Sequence, residues 1–302
     1  MFKYTLDNKR YYTLNYYYKT KYNSKVFKVS LNANFGCPNK KNGGGCIYCL
    51  NGSGENRGMD LIEQFIKVRD IMSKKWPDSK YIGYFQADTN TYAPLEVLKE
   101  NYEKILKLDN VVGLNIATRC DCLPNDVLDY LEELNKRTFL TIELGLQSIH
   151  EVTNKLINRC HSLKCFDEMV SKLKKRGIFV VAHVINGLPY ENKEMMLETV
   201  KHLNDIKVDG VKIHMLSVLK GTPLEKLYLE KPFPLLSMDE YIDIVCDELE
   251  LLDENIVIER LTGDPDINDL VAPLWLPKKI NVLNGIDKEM KKRNSYQGKK
   301  VE

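Results

Sequence analysis

The sequence predicts an α/β fold, a partial (β/α)6 TIM-like barrel that is incompletely closed and carries extensions at both ends of the chain. Short runs rich in β-forming residues alternate with longer amphipathic runs, and this alternation repeats six times in strict order. Most of the short runs are almost continuously apolar, as expected for parallel strands covered on both faces. The count does not support a full eight-fold barrel, and a doubly wound open sheet is the alternative.

The elements follow one another as strand, then helix. Strands are expected at 26–31, 81–86, 111–118, 139–146, 178–185 and 210–216. Helices are expected at 60–76, 94–108, 124–136, 163–176, 192–206 and 237–254. Pro94 begins its helix where the missing N–H costs nothing, and Gly177 ends its helix. A last apolar run at 256–261 is compatible with one more strand.

Length and composition indicate an ordinary globular chain. Its 302 residues are 43% hydrophobic and 28% charged, and this length fits a single barrel. No apolar run is long enough to predict a transmembrane helix, and the N-terminal segment lacks the apolar core of a signal peptide. We therefore expect a cytoplasmic protein without a membrane partner. Eight cysteines in such a protein favour metal binding or catalysis over disulfides.

Charge divides the chain into a basic, tyrosine-rich N-terminal arm (1–25), the barrel (26–262) and a basic C-terminal extension (263–302). The formal net charge is +2, but residues 1–28 carry +6 and residues 278–302 carry +5, which leaves −9 for the rest. Basic arms suggest a polyanionic partner, and aromatics interleaved with cations are common in single-stranded RNA binding. The alternative is that these tyrosines and lysines only cover a barrel edge.

The loop after the first strand, CPNKKNGGGCIYC, places Cys37, Cys46 and Cys49 at the carboxyl end of the sheet, where barrel chemistry is located. A structural zinc site needs four ligands, and no second C-x2-C or nearby histidine completes the set. A thioredoxin-like pair needs neither a third thiol nor the glycines. Three thiolates can hold a [4Fe–4S] cluster with one iron open, and this interpretation is favoured over the other two.

The chain resembles the radical S-adenosylmethionine (SAM) superfamily, in its elongator catalytic-subunit-like branch and specifically the YtqA/YhcC-type proteins. An aromatic inside the last cysteine pair is typical of the superfamily, although the first gap is longer than the common C-x3-C. The likeness extends over almost the whole chain. It is carried by RYYTLNYYYKTKYNSKVFKVSL, the cysteine loop, FQADTNTY, TRCDCLP, IELGLQS, NRCHS, INGLP, HMLSVLKGTPLE, RLTGD and the closing R-x-x-x-Q-G.

This resemblance implies a [4Fe–4S] cluster held by the three cysteines and SAM bound at the open iron. Reductive cleavage of SAM would give methionine and a 5′-deoxyadenosyl radical, chemistry that the cofactors supply. It also implies SAM contacts from side chains near the strand ends, while no residue is assigned to a catalytic step. These contacts are Tyr48, Arg119, Glu143, Gln147, Ser148, Arg159 and Asn186.

Each of these contacts has an alternative. Glu143 is expected at the end of an apolar strand, where a buried carboxylate needs a partner, either SAM or an ion pair with Arg119 or Arg159. Arg119 suits a carboxylate or phosphate but could equally pair with Asp121 to anchor its loop. Gln147 and Ser148 follow Glu143 as neutral contacts.

The segment containing Arg159 and His161 precedes a helix N-terminus, where anions are favoured. Cys160 stands there in place of the family's glycine. Asn186, with the Gly-Leu-Pro that follows, could bring backbone to the adenine or form a plain turn.

Other cysteines and histidines have less specific roles. Cys120, Cys122, Cys160 and Cys165 could hold an auxiliary cluster, but small buried thiols are the more common case, and Cys246 is expected in the core. His183 and His214 lie inside strands five and six, either touching substrate or packed in the core.

The resemblance implies modification of the tRNA wobble uridine, converting carboxymethylaminomethyl-uridine to aminomethyl-uridine. The anticodon stem-loop would be bound by the basic termini, and an external donor such as flavodoxin or ferredoxin would supply electrons. Two other functions stay open. One is the same chemistry on a small molecule, and the other is a non-catalytic iron–sulfur protein that binds RNA.

Overall fold

The computed structural model describes residues 2–50, 56–86 and 88–301, which form one curled sheet of seven parallel strands and a layer of helices. Seven strands lie side by side in chain order, and two further strands form a short antiparallel pair. The strands are β1 (Val26–Leu31), β2 (Lys80–Phe85), β3 (Val111–Thr118), β4 (Phe139–Gln147), β5 (Phe179–Asn186), β6 (Gly210–Met215), β7 (Val218–Leu219), β8 (Val257–Arg260) and β9 (Leu270–Ala272).

The six predicted strands all form, and the run at 256–261 forms β8 beside β6, so that the sheet has seven strands rather than six. Its order is β1-β2-β3-β4-β5-β6-β8. A doubly wound sheet reverses its strand order part-way. The sequential order therefore excludes that alternative and gives the partial barrel.

The predicted helices form within a few residues of their expected bounds. Additional helices occupy segments where none was expected, at 14–22, 38–43, 151–156, 223–230 and 279–292. The helices are α1 (Leu14–Tyr22), α2 (Pro38–Gly43), α3 (Leu61–Lys75), α4 (Leu95–Leu106), α5 (Asn125–Arg137), α6 (Glu151–Leu156), α7 (Leu163–Lys175), α8 (Lys193–Asp205), α9 (Pro223–Glu230), α10 (Met238–Leu251) and α11 (Lys279–Lys292).

Helical periodicity explains how the outer layer covers the sheet. In α5, Val127, Leu131 and Leu134 recur at helical spacing, are buried and pack toward β4. At the start of α10 the hydroxyl of Ser237 accepts from the backbone N–H of Glu240, whose carboxylate accepts in return from Ser237. This reciprocal cap fixes where the helix begins.

Helix α1 closes the amino end of the barrel. It packs against both β1 and β8, the two edges of the sheet. The ring of Tyr17 lies 5.9 Å from that of Phe139 and 5.3 Å from that of Phe179, at the first residues of β4 and β5. Tyr18 is only 3% exposed. These tyrosines are therefore packed aromatic side chains at the end opposite the cysteine loop, as the barrel-edge alternative predicted, rather than free stacking groups.

The N-terminal and C-terminal segments are bonded to each other. The backbone N–H of Tyr12 donates to the side-chain carbonyl of Gln297 over 2.8 Å, and Arg10 donates to the carbonyl of Ser295 over 3.0 Å. Arg293, at the end of α11, binds Asp243 and Asp247 on α10. The two basic segments thus form one continuous surface, part of whose charge is neutralised by α10.

In the part of the chain that the structure describes, no helix combines the length and the apolar character needed to cross a membrane.

Candidate active site

The three cysteines of the loop lie at the carboxyl end of β1. Cys37 directly precedes α2, and the chain turns back through Gly44 and Gly45, both with positive φ, to reach Cys46 and Cys49. Glycine adopts this left-handed conformation without a Cβ clash. Among the described residues, no atom lies within 4 Å of a Cβ added at Gly44.

Neighbouring groups favour the thiolate form of Cys46. A hydrogen bond with the Cys49 thiol, together with the Tyr48 hydroxyl and the nearby Arg119 guanidinium, lowers the pKa of Cys46 to about 6. The amide of Asn39 also lies 3.6 Å from the Cys46 sulfur. The bond to Cys46 raises the pKa of Cys49 in turn. These contacts favour the thiolate form of Cys46, the form that binds metals.

The third thiol lies near the other two. Cys37 is close enough to Cys49 for its charge to raise the pKa of Cys49, and its charge also acts on Arg119. Within residues 2–50, 56–86 and 88–301, no three histidine, cysteine or carboxylate groups converge tightly enough to hold a single metal ion. What the loop offers is three neighbouring thiols.

Two arginines hold the loops beside these thiols. Arg119 forms a two-pronged ion pair with Asp121, at 2.9 and 2.8 Å, and donates to the carbonyl of Arg159 over 2.9 Å. Arg159 is 1% exposed, and its guanidinium donates to the carbonyls of Leu146, Ser148 and His161. Arg119 thus pairs with Asp121 and anchors its loop, which was the alternative to a role in binding a carboxylate or phosphate. The guanidinium of Arg159 is occupied by backbone carbonyls, and the expected position of its segment near SAM stays a prediction.

Glu143 lies in the middle of β4 rather than at its end, and its side chain points into the barrel interior, which we call the lumen. An ion pair with Arg119 or Arg159 was the alternative to a SAM contact, but the ion-pair partners of Glu143 are two lysines. Lys212 binds one carboxylate oxygen over 2.5 Å, and Lys28 binds the other over 3.1 Å. These two ammonium groups hold the pKa of Glu143 well below its usual range despite complete burial.

The rest of the lumen is polar as well. Glu143 also accepts hydrogen bonds from Tyr84 (2.7 Å) and Asn115 (2.9 Å), and it lies 2.9 Å from the Nε2 atom of His183. Sequence reasoning missed Lys28, Tyr84, Lys212 and Glu259, and it placed His183 only as one of two inward histidines. The sequence did carry a signal for Lys28 and Lys212, because each is the single lysine in an otherwise apolar strand, VFKVSL and GVKIHM.

Family models cover this barrel and the segment after it. The model of the radical SAM superfamily matches residues 31–203, more than half of the chain, and that of the radical SAM C-terminal domain matches residues 208–292. The chain belongs to the radical SAM superfamily. Its cofactors are those of that family, a [4Fe–4S] cluster and SAM.

Individual relatives confirm the elongator-like branch. The protein YtqA of Bacillus subtilis (strain 168) is 51% identical over 305 residues, which are 99% of this chain and 95% of YtqA. Elongator complex protein 3 of Saccharomyces cerevisiae is 29% identical over 160 residues, 52% of this chain but 28% of that protein. The solved structure of Elp3 from the archaeon Methanocaldococcus infernus shares the fold, with a TM-score of 0.71 and 20% identity. The match covers 91% of this radical SAM chain and 64% of the Elp3 chain.

The residues present fit a radical SAM cluster. Cys37, Cys46 and Cys49 supply three soft thiol donors on one loop, and the pKa of Cys46 is lowered by its neighbours. Arg119 and Tyr48 lie beside the thiols, and neither would serve as a fourth protein ligand to the cluster. These three cysteines would hold the cluster, and the arginine-anchored loops would hold the thiols in place.

Two of the expected SAM contacts point elsewhere. Ser148 is fully buried and donates to Glu191 over 2.5 Å. The amide of Asn186 donates over 2.9 Å to Glu248 on α10, in the helix layer outside the sheet. Burial raises the pKa of Glu248 to about 8. The Asn186 side chain is therefore engaged by Glu248, and the expected approach of its backbone to SAM stays a prediction.

Gln147 and Tyr48 remain candidates for SAM contacts. Gln147 has a positive φ at a register shift between β4 and β5, and its amide lies 2.7 Å from where a Cβ on Gly145 would be. The glycine therefore lets the Gln147 side chain fold back over the strand end. Tyr48 lies against Cys46 and packs on an apolar cluster that includes Leu224.

The remaining cysteines of this radical SAM chain do not share one environment. Cys120 is buried, with its sulfur 3.6 Å from that of Cys165 and 3.2 Å from Nδ1 of His161. Cys122 lies beside Asp121, and Cys160 is exposed. Cys246 is buried under α11, as expected for a core residue.

Proposed function

We propose that the protein is a radical SAM enzyme that modifies the wobble uridine of tRNA, converting carboxymethylaminomethyl-uridine to aminomethyl-uridine. The observation that carries the proposal is the polar lumen, which lies within the barrel whose carboxyl end bears the three thiols and whose amino end is closed by α1. A non-catalytic iron–sulfur module has no use for buried charges inside its barrel, because burying them is costly.

The chain's own residues have defined tasks in this reaction. When bound, the cofactors supply the reductive cleavage of SAM. Cys37, Cys46 and Cys49 hold the cluster, and Gln147 lies at the strand end as a neutral polar contact. The amino-end closure by α1 leaves the carboxyl end for substrate, where a base flipped out of the anticodon loop would enter.

The basic surface formed by the two termini supports an RNA partner. Lys278, Lys288, Lys291 and Lys292 are exposed there. Such cations favour phosphates by releasing counterions. The tyrosines of α1 are packed against the barrel, so the RNA proposal rests on charge rather than on stacking. Flavodoxin or ferredoxin is the proposed electron donor. The proposed location is the cytoplasm, where the tRNA substrate is found.

The test is nucleoside mass spectrometry of tRNA from a deletion strain, complemented either with the parent gene or with the triple variant of Cys37, Cys46 and Cys49 to Ala. We expect carboxymethylaminomethyl-uridine to accumulate in the deletion strain and in the triple variant, but not with the parent gene. An unchanged nucleoside profile in all strains would contradict the tRNA substrate and favour a small molecule.

A further inference from the structure

The lumen holds more cationic than anionic side chains. Lys28 and Lys212 share Glu143 and Glu259, since Lys28 binds Glu259 over 2.5 Å and Lys212 lies 3.6 Å from it. Glu143 is saturated, because its two oxygens already contact both lysines, Tyr84, Asn115 and His183. With neutral imidazoles, these two lysines and two glutamates balance in charge. Any additional cation in the lumen is therefore unneutralised.

Arg260 is that additional cation. It is the last residue of β8, and the register places it opposite Lys212 of β6. Its charge acts on both Tyr84 and His214, which lie in the lumen. Within the described ranges the Arg260 guanidinium forms neither a hydrogen bond nor an ion pair, and the residue is only partly exposed. A half-buried guanidinium without an acceptor is costly unless a ligand provides one.

Unpaired polar atoms gather near Arg260. Nε2 of His214 and Oε1 of Glu259 are buried and have no hydrogen-bond partner among the described residues. The ring of His214 lies 5.3 Å from that of His183, which is itself about one-fifth exposed. Buried polar groups are nearly always paired in native proteins, so these unpaired atoms mark a place for water or for a ligand.

We infer that Arg260, with His214 beside it, binds a carboxylate of the substrate inside the barrel. Arginine presents a planar fork of N–H donors that matches a carboxylate. The free Oε1 of Glu259, on the adjacent residue, is available to an amine on the same ligand. A carboxylate and an amine separated by one carbon are what a carboxymethylamino group carries. The identity of this ligand rests on the proposed function, whereas the carboxylate site itself does not.

The experiment measures binding of two free nucleosides to the anaerobically reconstituted full chain by titration calorimetry. One is 5-carboxymethylaminomethyl-uridine, and the other is 5-aminomethyl-uridine, which lacks the carboxylate. We expect the parent protein to prefer the carboxylated nucleoside. Arg260→Gln should weaken its binding by about ten- to a hundredfold, the cost of a lost charged hydrogen bond, and leave the other nucleoside unaffected. Arg260→Lys should keep part of the preference.

Arg69→Gln is the matched control, since Arg69 lies on α3 and pairs with exposed Asp70 outside the barrel. Iron content and thermal unfolding of each variant establish that it is folded. A parent protein that binds both nucleosides equally would overturn the carboxylate site. So would an Arg260→Gln variant that keeps the preference.

The two proposals fail separately. If tRNA nucleosides do not change in the deletion strain but the preference depends on Arg260, the carboxylate site stands and the tRNA substrate does not. If tRNA is modified and the preference survives Arg260→Gln, the tRNA substrate stands and the carboxylate site is overturned.

Discussion

At the carboxyl end of the barrel, polar loops anchored by Arg119 and Arg159 surround three thiols, whereas at the amino end the strands begin beneath a layer of tyrosine and phenylalanine rings. The first arrangement keeps reactive groups available, because its hydrogen bonds position the backbone without filling the space between the thiols. The second fills space and offers little chemistry. In TIM-like barrels generally, one end serves activity and the other stability. The comparison predicts that substitutions at the two ends will have separable effects.

The largest expected effect is at the carboxyl end. Replacing Cys37, Cys46 and Cys49 together by Ala removes all three donors, so bound iron and cleavage of SAM to 5′-deoxyadenosine should be lost completely. Iron analysis and chromatography measure these two losses. Thermal unfolding should change little, because the loop carries little of the core. Cys246→Ala is the control and should keep its iron. A triple variant that retains full iron content would show that other cysteines hold the cluster.

The lumen lies between the two ends of the barrel. The variant Glu143→Ala tests whether the charged groups of the lumen stabilise the fold. Removing this carboxylate leaves Lys28 and Lys212 without their shared partner, which should lower the free energy of unfolding by about 3 to 5 kcal/mol. Chemical denaturation measures the loss. Glu143→Gln, which keeps the shape, should lose less. A variant as stable as the parent would contradict the ion pairs described above.

The same carboxylate predicts a pH dependence. Because its pKa is depressed in the folded protein, the stability it contributes is present above the pKa of an unfolded glutamate, about 4.3, and is lost as the pH falls further. The parent should therefore lose more stability than Glu143→Ala when the pH is lowered from 5 to 3. Parallel denaturation curves would contradict this linkage.

At the amino end, Tyr18→Ala removes a buried ring and should cost about 3 kcal/mol of stability without changing iron content. Tyr18→Phe is the matched control. Because the Tyr18 hydroxyl is buried without a partner among the described residues, its removal should be close to neutral. Loss of iron in Tyr18→Ala at a temperature where the variant is folded would break the separation between the two ends.

The smallest expected effect is on the surface. Changing Lys278, Lys288, Lys291 and Lys292 to Gln should weaken tRNA binding and make its dependence on log salt shallower, by about 0.9 per lost phosphate contact. Arg293 is kept, because it binds acids on α10. The control changes four exposed lysines on α7 and α8, namely Lys164, Lys172, Lys175 and Lys201. Identical salt slopes in the two variants would place the RNA elsewhere.

Local patterns were sufficient for the sheet and for the cysteine loop. The strands repeat as apolar runs, and Cys37, Cys46 and Cys49 lie within thirteen residues, so neither needs knowledge of the fold. Helix α1 was missed because its inward face consists mostly of tyrosines, of which Tyr18 is buried and the other three are half-buried, so the contrast between apolar and polar positions is weak.

Side-chain direction at the strand ends could not be predicted. The register shift between Gly145 and Gln147 disrupts the alternation of faces along β4, which affects where Gln147 and Ser148 point. The lumen is assembled from all seven strands of the curled sheet, and Lys28 meets Glu259 only after the sheet has curled. Such partners are separated by 231 residues and cannot be inferred from spacing.

The hydrogen bond between Tyr12 and Gln297 can form only late in the synthesis of the chain. It joins residues 285 apart, and the same glutamine side chain donates to the carbonyls of Asp253 and Ile256. At a ribosomal rate of about 5 to 20 residues per second, the N–H of Tyr12 waits about 15 to 60 s for this acceptor. During synthesis the N-terminal segment therefore lacks this partner until the C-terminal segment has emerged from the ribosome.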